Sequence, residues 1–171
     1  TYSMNKEDIW LSEIPVPITE KATGYADDDF NTMPDGKELI KWNYYSPKWC
    51  PVGITKMPGG EKVLALQDWD PFDYAKAERI FPASENLSAT FTIVPGQNDH
   101  GKLDIELQDA KGTSAIRLTF DSSGTLIAKA GYRDKSILHY EAGKTYKINV
   151  SLHTGTRFYT VTINDGQSKI T

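Results

Sequence analysis

The chain has 171 residues, 39% of them hydrophobic and 25% charged, enough to bury one domain-sized core. Its single cysteine, Cys50, excludes an internal disulfide scaffold, and no Cys/His spacing marks a structural zinc site. Nineteen basic against 23 acidic residues, a formal charge of −4 with both signs interspersed, lack the footprint of a nucleic-acid or anionic-membrane partner.

In chain order, the first expected element is a strand-like segment, Asp8 to Ile14, followed by Pro15-Val16-Pro17. A domain seldom opens on an apolar strand whose edge is unpaired, so the chain is expected to be a fragment of a longer protein. No apolar run approaches the ~18–20 residues that cross a bilayer, so no membrane insertion is expected, and residues 1–20 lack the pattern of a signal peptide. Residues 20–36 are polar and turn-rich, with Asp27-Asp28-Asp29 and Met33-Pro34-Asp35-Gly36. Strands are expected over Lys37 to Tyr45 and Val63 to Leu66, joined by an irregular connection that Pro47, Pro51, Pro58, Gly59 and Gly60 impose. One short helix is expected over Pro71 to Arg79, with Asp70 as its cap and Pro82 past its end.

From Asn86 onward short apolar alternations follow one another, separated by turns. They run Leu87 to Ile93, Leu103 to Leu107, Ile116 to Phe120, Thr125 to Lys129, Ile137 to Tyr140, Tyr146 to Leu152 and Tyr159 to Ile163. Strands at roughly 8–12-residue spacing without a long helical period predict an all-β, antiparallel sandwich. Asn164-Asp165-Gly166 reads as a turn so close to Thr171 that the sandwich is expected to be truncated at this end. The expected organisation is residues 1–18 as a closing strand or arm, 19–85 as an irregular, aromatic-rich connecting segment with the first sandwich strands, and 86–171 as the sandwich core.

Two kinds of residue could carry chemistry. Asp104 and Glu106, with Gln108 next, point the same way from one strand, the arrangement in which sandwich glucanases hold a nucleophile, a helper and a general acid/base. Gln108 cannot shuttle a proton, so the pair needed for retaining hydrolysis is incomplete, and Arg117 on the neighbouring strand can pair with Glu106. The acid runs Asp27-Asp28-Asp29 and Asp68 to Asp73 are oxygen-rich enough for calcium but lack the glycine and spacing of an EF-hand loop, and a solvated turn and a helix cap also explain them. His100, His139 and His153 are dispersed, and no cofactor is called for by any motif.

The second kind is aromatic. Trp42, Tyr44, Tyr45, Trp49, Trp69, Phe72 and Tyr74 crowd into one stretch. Flat rings of this sort stack on the C–H face of a sugar, and they also supply the largest buried areas of a core or interface. Two carbohydrate-binding sites therefore compete: the concave face of the sandwich, with Asp104, Glu106, Arg117 and Lys147, or the arm, with Trp42, Tyr44, Trp49 and Trp69.

Tyr2 to Pro17 resembles the closing strand of the β-propeller in sialidase-like (BNR-repeat) proteins of polysaccharide-degrading bacteria. Asp68-Trp69-Asp70-Pro71-Phe72-Asp73-Tyr74 through Pro82 is similar to the segment that precedes a laminin-G-like, concanavalin A-like jelly roll in those proteins, and Leu87 to Ile163 looks like that jelly roll. The resemblance implies a non-catalytic, carbohydrate-binding or structural accessory domain of a secreted or periplasmic, cell-surface glycan-active protein. Its partners would be a glycan or polysaccharide and a preceding β-propeller that carries any catalytic residues. Two alternatives stand beside it: a glycoside hydrolase or lyase acting through Asp104 and Glu106, and a structural protein-interaction module.

Overall fold

The computed structural model describes residues 2–4, 8–10, 21–22, 24–36, 39–164 and 169–170. These form two compact units, Thr1–Pro82 and Ala83–Thr171. Every strand pairing is antiparallel, and no helix occurs among the described residues.

In the first unit, β1 (Tyr2–Met4) pairs with β2 (Asp8–Trp10), so the expected N-terminal strand is present at its start; residues 11–17 lie outside those described. β3 (Trp42–Tyr45) pairs with β6 (Lys76–Arg79), and β4 (Val52–Lys56) with β5 (Lys62–Leu66). The strand expected over Lys37 to Tyr45 thus runs only from Trp42, because Lys41 takes the left-handed conformation, φ 66°, that turns the chain into it. Met33, Leu39, Val52 and Ile54 are the buried core, with Phe30, Trp42, Tyr44, Leu64, Ala75 and Ala77 packed on it.

The helix expected over Pro71 to Arg79 does not form. Asp70 does cap, but it caps a turn: its Oδ1 accepts the Phe72 N–H at 2.9 Å, the local side-chain bond that competes with helix initiation. Lys76 to Arg79 has good helix formers, yet four residues gain too little from propensity to outweigh pairing along β3. In the strand, Ala77 and Arg79 turn inward, and the Arg79 Nε bonds Asp28 Oδ2 at 3.0 Å with both side chains nearly sequestered.

The second unit is the predicted sandwich. β7 (Asn86–Ile93), β12 (Tyr146–His153), β13 (Phe158–Asn164) and β14 (Lys169–Ile170) make one sheet, in the order β14-β13-β12-β7. β8 (Leu103–Gln108), β9 (Ser114–Phe120), β10 (Thr125–Ala130) and β11 (Arg133–His139) make the other, in the order β11-β10-β9-β8. Period-two alternation turns Ile116, Leu118, Phe120, Leu126, Tyr146, Ile148, Val150 and Ile163 into one shared core. β11 begins four residues before the expected Ile137, because Gly131 at φ 66° closes a tight hairpin and the polar edge residues Arg133 to Ser136 pair without needing burial. Between β9 and β10 the Asp121 Oδ1 accepts the N–H of Ser123 and of Thr125, each at 2.9 Å, and buried Gly124 at φ 72° passes the Asn98 carbonyl so closely that a Cβ would lie 3.0 Å from it.

Candidate functional site

The sandwich carries two outer faces of opposite character. On the β8–β9 side, Glu106 stands opposite Arg117 and Asp104 opposite Thr119. Arg117 Nε reaches Glu106 Oε1 at 2.5 Å, and Gln108 Nε2 donates to Glu106 Oε2 at 2.5 Å. Thr119 Oγ1 donates to Asp104 Oδ1 at 2.6 Å and Lys102 Nζ lies 2.8 Å from Asp104 Oδ2. Burial pushes both carboxyls up, but these donors outweigh it and hold Asp104 and Glu106 below their ordinary values. A general acid at neutral pH needs the opposite shift, and on this face both carboxyls are instead engaged by cationic and neutral donors.

The expectation that Lys147 shares this face is corrected. Lys147 is on β12, in the other sheet, opposite Thr92 on one side and Asn164 on the other. Sequence alternation shows which half of each strand faces out; it does not show which strands share a sheet when β7 and β12 lie some sixty residues apart.

In the first unit the aromatics divide. Trp42 packs on the core, its ring 5.8 Å from Phe30 and its indole N–H buried without an acceptor among the described residues, and Tyr44 packs beside it. Trp49 and Trp69 instead remain 47% and 66% exposed. The β4–β5 ladder explains their placement. Past Val52 and Leu66 it continues through Gln67 N–H to Pro51 O at 3.1 Å and Trp69 N–H to Trp49 O at 2.9 Å. Trp49 and Trp69 therefore oppose each other directly, and opposed residues in an antiparallel pair share a face.

Cys50 and Asp68, one position along, fall on the other face. The fully buried Cys50 thiol donates to Asp68 Oδ1 at 3.1 Å, and Asp68 also accepts the Asp70 N–H at 3.0 Å. Burial first, and Asp68 second, push the thiol up to about 11. This lock fixes the two chain segments that carry the tryptophans. On the tryptophan side, the small opposed pair Gly53 and Ala65 floors a shallow groove of about 190 Å³, with Thr55 and Gln67 as polar rims. Lys48 Nζ lies 4.8 Å from the centre of the Trp49 ring, a cation against an indole face.

The acid runs are engaged in bonds both local and long-range. Asp28 pairs with Arg79, Asp29 accepts the Asn31 N–H at 3.1 Å, and Asp73 accepts the Tyr45 hydroxyl at 3.2 Å. Among the described residues no three His, Cys, Asp or Glu side chains gather to hold a metal. Of the histidines, His139 and His153 are exposed on strands and His100 lies in a loop against Asp99.

An all-β fold with its strand-face acids paired off, and a tryptophan pair left in solvent beside a groove, has the form of a binding module. Residues 42–171 match the family described as "Sialidase-like, CBM domain", and the chain belongs to that family of carbohydrate-binding modules. It is an accessory, carbohydrate-binding type of domain, in line with the resemblance seen in the sequence. A solved structure described as "Sialidase" is similar over 99% of this chain at 42% identity and a TM-score of 0.82. The chain spans about 15% of that protein's length. No curated protein matches the chain.

Proposed function

We propose that the chain tethers a secreted or periplasmic, cell-surface glycan-active protein to its polysaccharide, with Trp49 and Trp69 as the platform on which a sugar ring stacks. The observation that supports this most strongly is the exposure of two directly opposed indoles, held from below by the Cys50–Asp68 lock and continued by the Gly53–Ala65 groove. Large apolar groups held rigid in water are costly unless something covers them. Gln67 and Thr55 supply hydrogen-bonding rims for the hydroxyls of the next residue of the glycan, which rests on the groove floor. Catalysis lies in another part of the protein, in a preceding β-propeller, and the module raises the local concentration of substrate for it.

Affinity electrophoresis of the chain through gels containing plant and host polysaccharides tests this. Covering roughly 60–80 Å² of ring surface is worth about 1.5–2 kcal/mol, so Trp69→Ala should weaken retention by the best polysaccharide roughly 10–30-fold, with the melting temperature unchanged. Full retention of the Trp49→Ala/Trp69→Ala double variant would overturn the site. Absence of retention by any polysaccharide would instead favour a structural role, in which the exposed Trp69 and Phe72 brace a neighbouring domain.

A further inference from the structure

The outer face of β7, β12 and β13 differs in make-up from the outer face of β8 and β9. Register places Thr90, Asn149 and Thr162 in one row across three strands, and Thr92, Lys147 and Asn164 in the next. Asn149 Nδ2 donates to Thr90 Oγ1 at 2.7 Å, which fixes the amide along the row. Thr90, Lys147, Asn149, Thr162 and Asn164 line a shallow depression of about 340 Å³, the size of a monosaccharide or two.

The charge pattern is the informative part. The chain has more acids than bases, yet no outward position of β7, β12 or β13 is Asp or Glu. Lys147 makes no ion pair among the described residues, in contrast to Arg117 on the opposite sheet and Lys102 just before it, which are both held by carboxylates. An ammonium that no acid among the described residues answers, set among hydroxyls and amides, suits a ligand that brings a carboxylate of its own together with hydroxyl groups.

We propose that this face is a second glycan subsite, separate from the tryptophan pair, and that it takes a carboxylated sugar, the carboxylate on Lys147 and the ring hydroxyls on Asn149, Thr90 and Thr162. Uronic and nonulosonic acids both present this chemistry. The site needs no aromatic floor, because charge-assisted hydrogen bonds and the amide row give orientation, and it accounts for the lack of acids among the outward positions of β7, β12 and β13 on an acidic protein.

The test is titration of the whole chain, by calorimetry at low salt, with polygalacturonate, with the same polymer fully methyl-esterified, and with polysialic acid. At least one of the two acidic polymers should bind at least 10-fold more tightly than the ester, and whichever does so identifies the sugar. Lys147→Gln should bring that polymer down to the ester's level, Lys147→Arg should keep at least half of the preference, and 0.5 M salt should abolish it, with all variants melting as the parent does. The Trp49→Ala/Trp69→Ala chain should retain the acid-over-ester ratio even where overall affinity drops. Equal binding of acid and ester, or a preference unmoved by Lys147→Gln, overturns the subsite while leaving the tryptophan platform standing. A preference lost with the tryptophans and kept in Lys147→Gln places the acidic sugar on the platform and also overturns it.

Discussion

The two units reach stability by different routes. Among the described residues Ala83–Thr171 buries ten apolar side chains between two four-stranded sheets, and its polar groups work mainly at turns and on outer faces. Among the described residues Thr1–Pro82 buries only a four-residue apolar cluster and Cys50, and it relies on polar locks that tie distant segments: Arg79 to Asp28, the Lys62 ammonium to the Met33 carbonyl at 2.6 Å, the Ser46 hydroxyl to the Val52 N–H at 2.9 Å, and Cys50 to Asp68. Apolar burial is non-directional and tolerates a solvated outer face on each strand. A small core cannot cover everything, so specific bonds must hold the chain, and the side chains left over, Trp49 and Trp69 among them, stay in water.

The sharpest way to break this comparison is to attack each unit at the point on which it depends. Tyr146 is 1% exposed, and its hydroxyl accepts the Glu141 N–H at 2.8 Å. Tyr146→Ala should cost about 3–5 kcal/mol through lost burial and the cavity left behind, read by urea denaturation followed by far-UV circular dichroism. In the first unit, Arg79→Met keeps the stem and removes the charge, stranding Asp28 in a nearly closed site; the expected loss is about 3 kcal/mol, the usual range for breaking a buried pair from one side. If Arg79→Met were neutral while Val52→Ala was severe, the first unit would be held by its apolar core after all.

The same contrast explains what the sequence disclosed. The seven strands from Leu87 to Ile163 were legible because each buries one face, and burial writes itself as alternation. Lys76 to Arg79 carries helix propensity in the sequence, because nothing in four residues records a partner more than thirty positions earlier, and the strand is imposed by β3. Trp49 and Trp69 were visible as candidates, but their separation from Trp42 and Tyr44 was not, since it depends on the β4–β5 register continuing through Pro51 and Gln67. On the polar face of β7, β12 and β13 only Lys147 stands out in the sequence, grouped there with the acids of the other sheet. Only the pairing of β12 with both neighbours turns scattered Thr, Asn and Lys residues into rows.

A smaller effect separates the units by pH. Asp104 and Glu106 titrate below their ordinary values in the fold, so their contribution is fully present above the unfolded carboxylate pKa and is lost as pH falls through the lowered folded values. Both are partly solvated, and salt and water screening limit the joint effect to about 1 kcal/mol. Urea midpoints measured between neutral pH and pH 3 should fall less steeply for Asp104→Asn/Glu106→Gln than for the parent chain. An identical fall would mean that the Arg117 and Lys102 bonds add nothing to stability.

Cys50 gives the finest probe, because it is the one thiol in the chain and lies in the first unit beneath the tryptophan pair. A thiol raised to about 11 is almost wholly protonated at pH 8, and a fully buried one is also shielded from reagent. A disulfide reagent at pH 8 should therefore label the folded chain many times more slowly than the unfolded one, at a rate set by opening of the first unit. Arg79→Met, which loosens that unit, should speed labelling, and the conservative Trp69→Phe should not. The sign at high pH follows from the same shift. With the folded value above the unfolded one, the stabilisation is intact below the unfolded thiol pKa and disappears as pH rises through about 11. Stability measured from pH 8 to 11 should thus fall more for the parent than for Cys50→Ala. A parent and variant that fall in parallel would show that the thiol is not held protonated by Asp68 and burial, and that the lock beneath the platform is weaker than its 3.1 Å geometry implies.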